Sequence, residues 1–396
     1  MIITQKIMRN VSLTAHPTGC RRYVEEQVAW LDSQKVAPDT VSHLPKRVLV
    51  IGGSTGYGLA SRMVAAIVGE SATLNVSFER EPSERKVATP GWYNTKAFEQ
   101  EAKRRGLFAA SLFADAFSNE TKETTAQLIA EHLGQVDMVV YSLASPIRID
   151  PDTGETYKSV LKPIGKTYTA LSVDVTSGRI EQAVIDPADD RQIEETVKVM
   201  GGEDWALWIS LLLDRQLLAP GATTVAYSYI GPEITYPVYR EGTIGRAKEH
   251  LERTAKSLTD KLALLGGGAY VSVNKALVTR ASAVIPVVPL YIALLYQVMK
   301  EKGIHEECTE QMYRLFVDRL YSGSTVPVDE KGRIRLDDWE MRSDVQQEVS
   351  SRWSLQREGE LITGGDLKGF KDAYDHIHGF GYSSIDYEAD VDPTQV

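Results

Sequence analysis

Short apolar runs rich in β-branched residues alternate with amphipathic stretches through the first third of the chain. The run RVLVI at 47–51 predicts a strand. It breaks directly into Gly52-Gly53-Ser54-Thr55-Gly56-Tyr57-Gly58, before a helix-compatible stretch from Leu59 to Val68. The same rhythm predicts strands over 72–79, 107–113 and 138–142, with helices over 95–105 and 120–133 between them. Upstream, residues 1–45 read as an extension. Its helix, over 21–31, places Val24, Val28 and Leu31 on one face after a His16-Pro17-Thr18-Gly19 turn. From Pro146 to Val199 the rhythm lapses. That segment is rich in Thr, Asp, Pro and Gly, with one hairpin strand over 167–175, and it reads as a cap inserted at about 146–199 over the strand ends. A helix over 205–217 and strands over 223–230 and 269–273 resume the pattern. An apolar stretch over 281–299, a helix over 309–321, a small hairpin over 325–336 and a polar, mostly helical tail from Asp338 complete it. The alternation predicts an α/β fold: a doubly wound parallel sheet of the Rossmann type, in one domain spanning 1–396, with its ligand at the carboxyl ends of the strands.

Composition removes several function classes. With 396 residues, 43% hydrophobic and 25% charged, the chain has material for a large core. A net charge of −10 without a basic run argues against a nucleic-acid partner. Cys20 and Cys308 stand far apart in no ligand-like spacing, which predicts free thiols in a reducing cytoplasm. The N-terminus has no apolar core of a secretory signal. The stretch ASAVIPVVPLYIALLYQVM (281–299) imitates a membrane span, yet Pro286, Pro289 and Gln297 interrupt it, so a buried helix beside an apolar pocket is expected and no span. The seven histidines show no ligand grouping; His376 and His378 are the nearest to a pair and read as part of a solvated tail, so no metal is expected.

The glycine turn carries the first candidate chemistry. Strand, tight turn and helix start together offer free N–H groups and the positive end of a helix dipole to a pyrophosphate, while glycines let the ligand approach the main chain. Gly-x-x-x-Gly-x-Gly is the short-chain dehydrogenase variant of that cradle. Glu79 follows at the end of the second strand, 27 positions after Gly52 against a typical spacing of roughly 20. An acid there accepts hydrogen bonds from ribose hydroxyls and repels a 2′-phosphate, which favours NADH over NADPH. Asp115, beyond the third strand, is placed either for an adenine edge or as a helix N-cap. After the fifth strand come Tyr239 and Lys248. A reductase needs a hydroxyl acid by the reacting carbonyl and a lysine that holds the nicotinamide ribose and lowers the tyrosine pKa. Nine positions at about 100° each would put this pair on opposite faces of one helix. Tyr239 is therefore expected in the loop before the helix, with Thr243 as N-cap of the helix that carries Lys248.

Over essentially its whole length the chain resembles the single-chain bacterial trans-2-enoyl-CoA reductases and the related FabV-type enoyl-acyl-carrier-protein reductases. The motifs that carry the resemblance are TAHPTGC (14–20), GGSTGYGLASR (52–62), TPGWYN (89–94), VYSLASP (140–146), VKVMGGEDW (197–205), AYSYIGPE (226–233), the Tyr-x8-Lys pair, GTIGRAKEHLE (242–252) and SVNKALVTRASAVIPVVPLY (272–291). The resemblance implies NADH-dependent reduction of the carbon–carbon double bond of a trans-2-enoyl thioester, carried by CoA or by acyl carrier protein, in fatty-acid synthesis or butyryl-CoA formation by a monomeric enzyme. It places NADH against Gly52, Gly53, Ser54, Thr55, Gly56, Tyr57, Phe78, Glu79, Asp115, Ala116, Leu143, Ala144, Lys248, Leu277, Val278 and Thr279. Tyr229 would touch substrate, Tyr239 would donate the proton, and the 281–299 stretch would wall the acyl chain. Two other readings compete. A short-chain keto or alcohol reductase would set its tyrosine and lysine four apart on one helix face. A non-catalytic NAD-binding redox sensor would need Glu79 and the glycine turn but not Tyr239.

Overall fold

Arg47–Ile51 (β1) runs through the interior with Val48 and Val50 turned into one apolar layer and Leu49 and Ile51 into another. Successive side chains of a strand point to opposite faces, so a stretch covered on both sides must be apolar at every position, as Val48 to Ile51 are. Full burial of a leucine such as Leu49 contributes about 2 kcal/mol relative to exposure. The structure, a computed structural model, describes residues 1–8, 11–280, 282 and 285–396.

Six further strands join β1: Ala72–Ser77 (β2), Ala109–Phe113 (β3), Val136–Tyr141 (β4), Leu218–Ser228 (β5), Gly268–Val273 (β6) and Arg333–Arg335 (β7). Their order is β7-β6-β5-β4-β1-β2-β3, with every neighbouring pair parallel. The strand order reverses between β1 and β4, and a ligand crevice opens at such a point beyond the carboxyl ends of the strands. On one face lie Pro17–Ser33 (α1), Gly56–Gly69 (α2) and Pro90–Arg104 (α3), and on the other Asn119–His132 (α4). Asp190–Met200 (α5) belongs to the inserted segment. Glu203–Asp214 (α6) and Thr243–Leu262 (α7) complete the second face through Trp205, Trp208, Ile209, Leu251 and Leu258. Val288–Glu301 (α8), Cys308–Tyr313 (α9), Ser343–Ser354 (α10) and Leu367–Ile377 (α11) thicken the first.

Several expectations need correction. The segment 146–199 is not irregular to its end. It holds two antiparallel hairpins, Ile147–Ile149 with Thr156–Lys158 and Tyr168–Val173 with Ile180–Ile185, and then α5, whose Asp189 and Gln192 form a capping box. Residues 325–336 do not form a hairpin: β7 pairs parallel to β6 as the sheet's edge strand. Thr243 is not the N-cap of α7. Gly242 takes that place, and the Thr243 hydroxyl is spent on the Val160 carbonyl of the insertion. Asp115 is not the N-cap of α4 either, since Ser118 caps it and Asp115 accepts from Phe117 N at 3.0 Å. The helix expected over 309–321 is α9 followed by a π-helical stretch, Arg314–Leu320. His378 is buried at 2% exposure with its Nδ1 on the Tyr374 carbonyl, not solvated.

The apolar stretch over 281–299 is α8 and its approach; Ala281, Ala283 and Val284 lie outside the described residues. The helix is buried through Leu290, Tyr291, Ile292, Leu294 and Leu295. No helix among the described residues is long and apolar enough to cross a membrane.

Candidate active site

The turn after β1 is built for close approach. Gly52 sits at φ +89°, and a Cβ there would lie 2.1 Å from the Ser142 carbonyl oxygen. A Cβ on Gly58 would lie 2.1 Å from the Gly52 carbonyl oxygen, so α2 and the turn meet only because both positions are glycine. Gly53 N donates to Asn75 Oδ1 on β2 at 2.8 Å, which fixes the turn to the sheet. Thr55 precedes α2 without a side-chain cap, so the first N–H groups of the helix remain for a ligand.

Around this turn the structure brings together Leu143, Thr279 and Glu79 of the predicted contacts. Leu143 Cδ2 stands beside Gly52, and Thr279 Cγ2 lies 3.6 Å from the Cβ position of Gly56. Tyr57 Oη donates to the Lys275 carbonyl at 2.7 Å, tying the turn to the segment that carries Leu277, Val278 and Thr279. Phe78, just past β2, is 83% exposed and offers a ring to an adenine, while Ala116 is buried beyond β3 and Ala144 is exposed beyond β4. The extra length between Gly52 and Glu79 is taken up without displacing the acid: Glu79 Oε1 accepts from Ser54 Oγ at 2.7 Å and from Arg280 Nη1 at 3.2 Å. Its Oε2 is buried without a partner among the described residues, as is Ser228 Oγ at the end of β5. A cradle that a Cβ would fill, free helix N–H groups and orphaned polar atoms at the strand ends suit a dinucleotide.

Tyr239 and Lys248 converge at the carboxyl end of β5. Tyr239 lies in the turns before α7, and Tyr229 meets its ring edge-on at 5.0 Å and 85°. Lys248, on α7, donates Nζ to the Tyr227 carbonyl at 3.0 Å. Desolvation lowers the Lys248 ammonium to about 8, with Glu252 opposing the shift. The Tyr239 phenol moves the other way: burial first, then the Glu340 carboxylate, push its pKa up. Lys248 therefore does not acidify it in this arrangement, and the group stays a neutral O–H donor. The insertion closes over the pair, with Tyr168 Oη on the Ile234 carbonyl at 2.8 Å and Thr243 N on the Lys162 carbonyl at 3.0 Å.

Sequence reasoning missed Glu340. It is fully buried beyond β7 and accepts from Tyr291 Oη at 2.7 Å, Ala276 N at 2.8 Å and Tyr229 Oη at 3.1 Å. A glutamate in a polar tail carries no local signal of such a place.

Three family models match the chain: the NAD(P)H binding domain of trans-2-enoyl-CoA reductase over residues 2–84, the trans-2-enoyl-CoA reductase catalytic region over 86–321, and an enoyl reductase FAD binding domain over 328–391. An enoyl-acyl-carrier-protein reductase (NADH) of Flavobacterium johnsoniae is 56% identical over 391 residues, 99% of this chain and 98% of that protein. The protein of the same description from Cytophaga hutchinsonii is 53% identical over 391 residues, again 99% and 98%. The crystal structure of Treponema denticola trans-2-enoyl-CoA reductase in complex with NAD superposes with a TM-score of 0.95 at 48% identity, over 99% of this chain and 98% of that one. The flavin in the third description finds no fit. Among the described residues, 328–391 hold one three-residue strand, β7, which runs into the buried Asp337 and Glu340 and not into a glycine turn and helix.

Proposed function

The chain belongs to the trans-2-enoyl-CoA reductase family, and on that footing we propose that the crevice beyond β1, β4 and β5 reduces trans-2-enoyl thioesters through the residues gathered there. The enzyme is an NADH-dependent enoyl reductase. The pyrophosphate would be held by Gly52–Tyr57 and the start of α2, the adenosine by Phe78, Asp115 and Ala116, its ribose by Glu79, and the nicotinamide half by Lys248, Leu143, Ala144 and Leu277–Thr279. Bound there, NADH supplies a hydride for the β-carbon of the substrate. Charge then develops on the thioester oxygen. Tyr239 aims a neutral O–H at that oxygen and holds the proton the enolate takes up, in a site from which the insertion and α8 exclude water. Tyr229 lines the substrate's path with its ring. The site is read as complete within one domain, and the enzyme as acting as a monomer. The two buried, unpaired thiols accord with a cytoplasmic setting.

The observation that carries this reading is that the edge-on Tyr229–Tyr239 pair and the Lys248 ammonium, held on the Tyr227 carbonyl, both stand at the end of β5. NADH oxidation is expected with crotonyl-CoA and with crotonyl-acyl carrier protein, and the ratio of kcat/KM assigns the carrier. No oxidation with either would refute the reading.

Cofactor choice follows from Glu79. Its side chain is 4% exposed and paired with Arg280. Glu79→Ala removes the repulsion of a 2′-phosphate and releases Arg280 to pair with one. The NADPH-to-NADH ratio of kcat/KM should rise about tenfold or more, the usual worth of a charged hydrogen bond. A wild type that already prefers NADPH contradicts the assignment.

A further inference from the structure

The segment that carries Glu340 is clamped in place. Arg314, from the π-helical stretch, donates to Glu306 Oε1 at 2.6 Å, to the Leu336 carbonyl at 2.9 Å and to Asp338 Oδ1 at 3.0 Å. Gln311 bridges the Leu336 carbonyl and Lys275 N, both at 3.0 Å. This network sets residues 336–340 alongside 274–276 and delivers the Glu340 carboxylate to the floor of the crevice. Three donors converge on it: the Tyr291 and Tyr229 hydroxyls on Oε1 and Ala276 N on Oε2. A carboxylate, which only accepts, satisfies all three; an amide cannot, because one of its two atoms is itself a donor.

We infer that Glu340 is a positioning residue of the reduction: it holds the Tyr229 hydroxyl turned away from the substrate oxygen, leaves Tyr239 as the donor there, and through the edge-on ring pair fixes where the Tyr239 phenol stands. This rests on the roles assigned above to Tyr229 and Tyr239. Burial raises the Glu340 carboxyl to about 7, with the Tyr291 and Ala276 bonds and Lys275 pulling it down and Asp337 raising it; Tyr229 and Tyr239 also face it. Protonation would take acceptor capacity from the three donors, the Tyr229 and Tyr291 hydroxyls and Ala276 N. The C-terminal segment thus contributes to reduction through one carboxylate.

The test is a double-mutant cycle in the full-length enzyme, read as kcat with saturating NADH and crotonyl-CoA. Glu340→Gln and Tyr229→Phe should each lower kcat about tenfold, as expected for loss of a charged hydrogen bond, and the double variant should fall no further than either. The KM for NADH should not move. The decline of wild-type kcat as pH falls through about 7 should be absent in Glu340→Gln. Losses that multiply in the double variant, or a Glu340→Gln enzyme with unchanged kcat, overturn the inference. If Glu340→Gln does not fold, Glu340→Asp keeps the charge and withdraws it by one methylene, and the same cycle applies. A Tyr239→Phe enzyme with normal kcat would remove instead the site reading beneath it, so the two failures are distinct.

Discussion

Tyr239→Phe is expected to lower kcat for crotonyl thioesters by about 10²–10³, the usual cost of deleting a donor aimed at developing charge, while NADH affinity is kept. The substitution removes one hydroxyl from a buried ring and leaves the edge-on contact with Tyr229, which is worth about 1 kcal/mol, so the fold has no reason to change. The glycine turn and Glu79 lie on other elements and are untouched. Transition-state loss without ground-state loss means that kcat and kcat/KM fall together. The phenol is held neutral by burial and by Glu340, so it serves as a proton donor at every pH where the enzyme is stable, and the defect should not be rescued by raising the pH. Steady-state kinetics with a separate NADH titration by fluorescence checks both halves. Near-normal kcat would mean that a group other than the Tyr239 hydroxyl meets the developing charge.

How much of this could be read from the chain depends on how local each signal is. The strand Arg47–Ile51 was legible to the residue, because a β-branched run ending in glycines has one cheap solution, and Gly52 at φ +89° is that solution realised. The placement of Tyr239 outside α7 followed from the angle between positions on a helix. The helix α5 escaped because its surroundings are polar, although Asp189 and Gln192 three apart are a capping-box signal that could have found it. The strand β7 escaped for another reason: three residues pair with β6 across a long stretch of intervening chain, and Asp329-Glu330-Lys331-Gly332 nearby imitates a hairpin turn. Glu340 lay beyond reach altogether. Its meaning comes from Tyr229, Ala276 and Tyr291, which only tertiary structure brings to one carboxylate.

Lys248→Ala should damage binding and turnover together. With an ammonium proposed to hold the nicotinamide ribose beside the donor tyrosine, its loss should raise the KM for NADH and lower kcat/KM by about 10- to 100-fold, the range for hydrogen bonds to charged groups. The sign of the pH dependence follows from the direction of its shift. Burial lowers the ammonium from 10.5 to about 8, so in the free enzyme the required charge is lost as pH rises through about 8, and wild-type kcat/KM should fall there. The same shift predicts an opposite effect on the unliganded fold. Below about 8 both folded and unfolded states carry the proton and the folded state bears the whole desolvation cost; that cost fades between about 8 and 10.5, where only the unfolded chain remains charged. Lys248→Met should therefore raise Tm at neutral pH, with the gain shrinking above pH 8, while it removes the alkaline limb of the rate profile. Because Tyr239 and Lys248 would serve the same reduction step at the end of β5, Tyr239→Phe combined with Lys248→Ala should lose less than the product of the single losses. Multiplicative losses would mean that the lysine serves the cofactor alone. A Lys248→Ala enzyme with unaltered NADH binding and kcat would place the lysine outside the machinery.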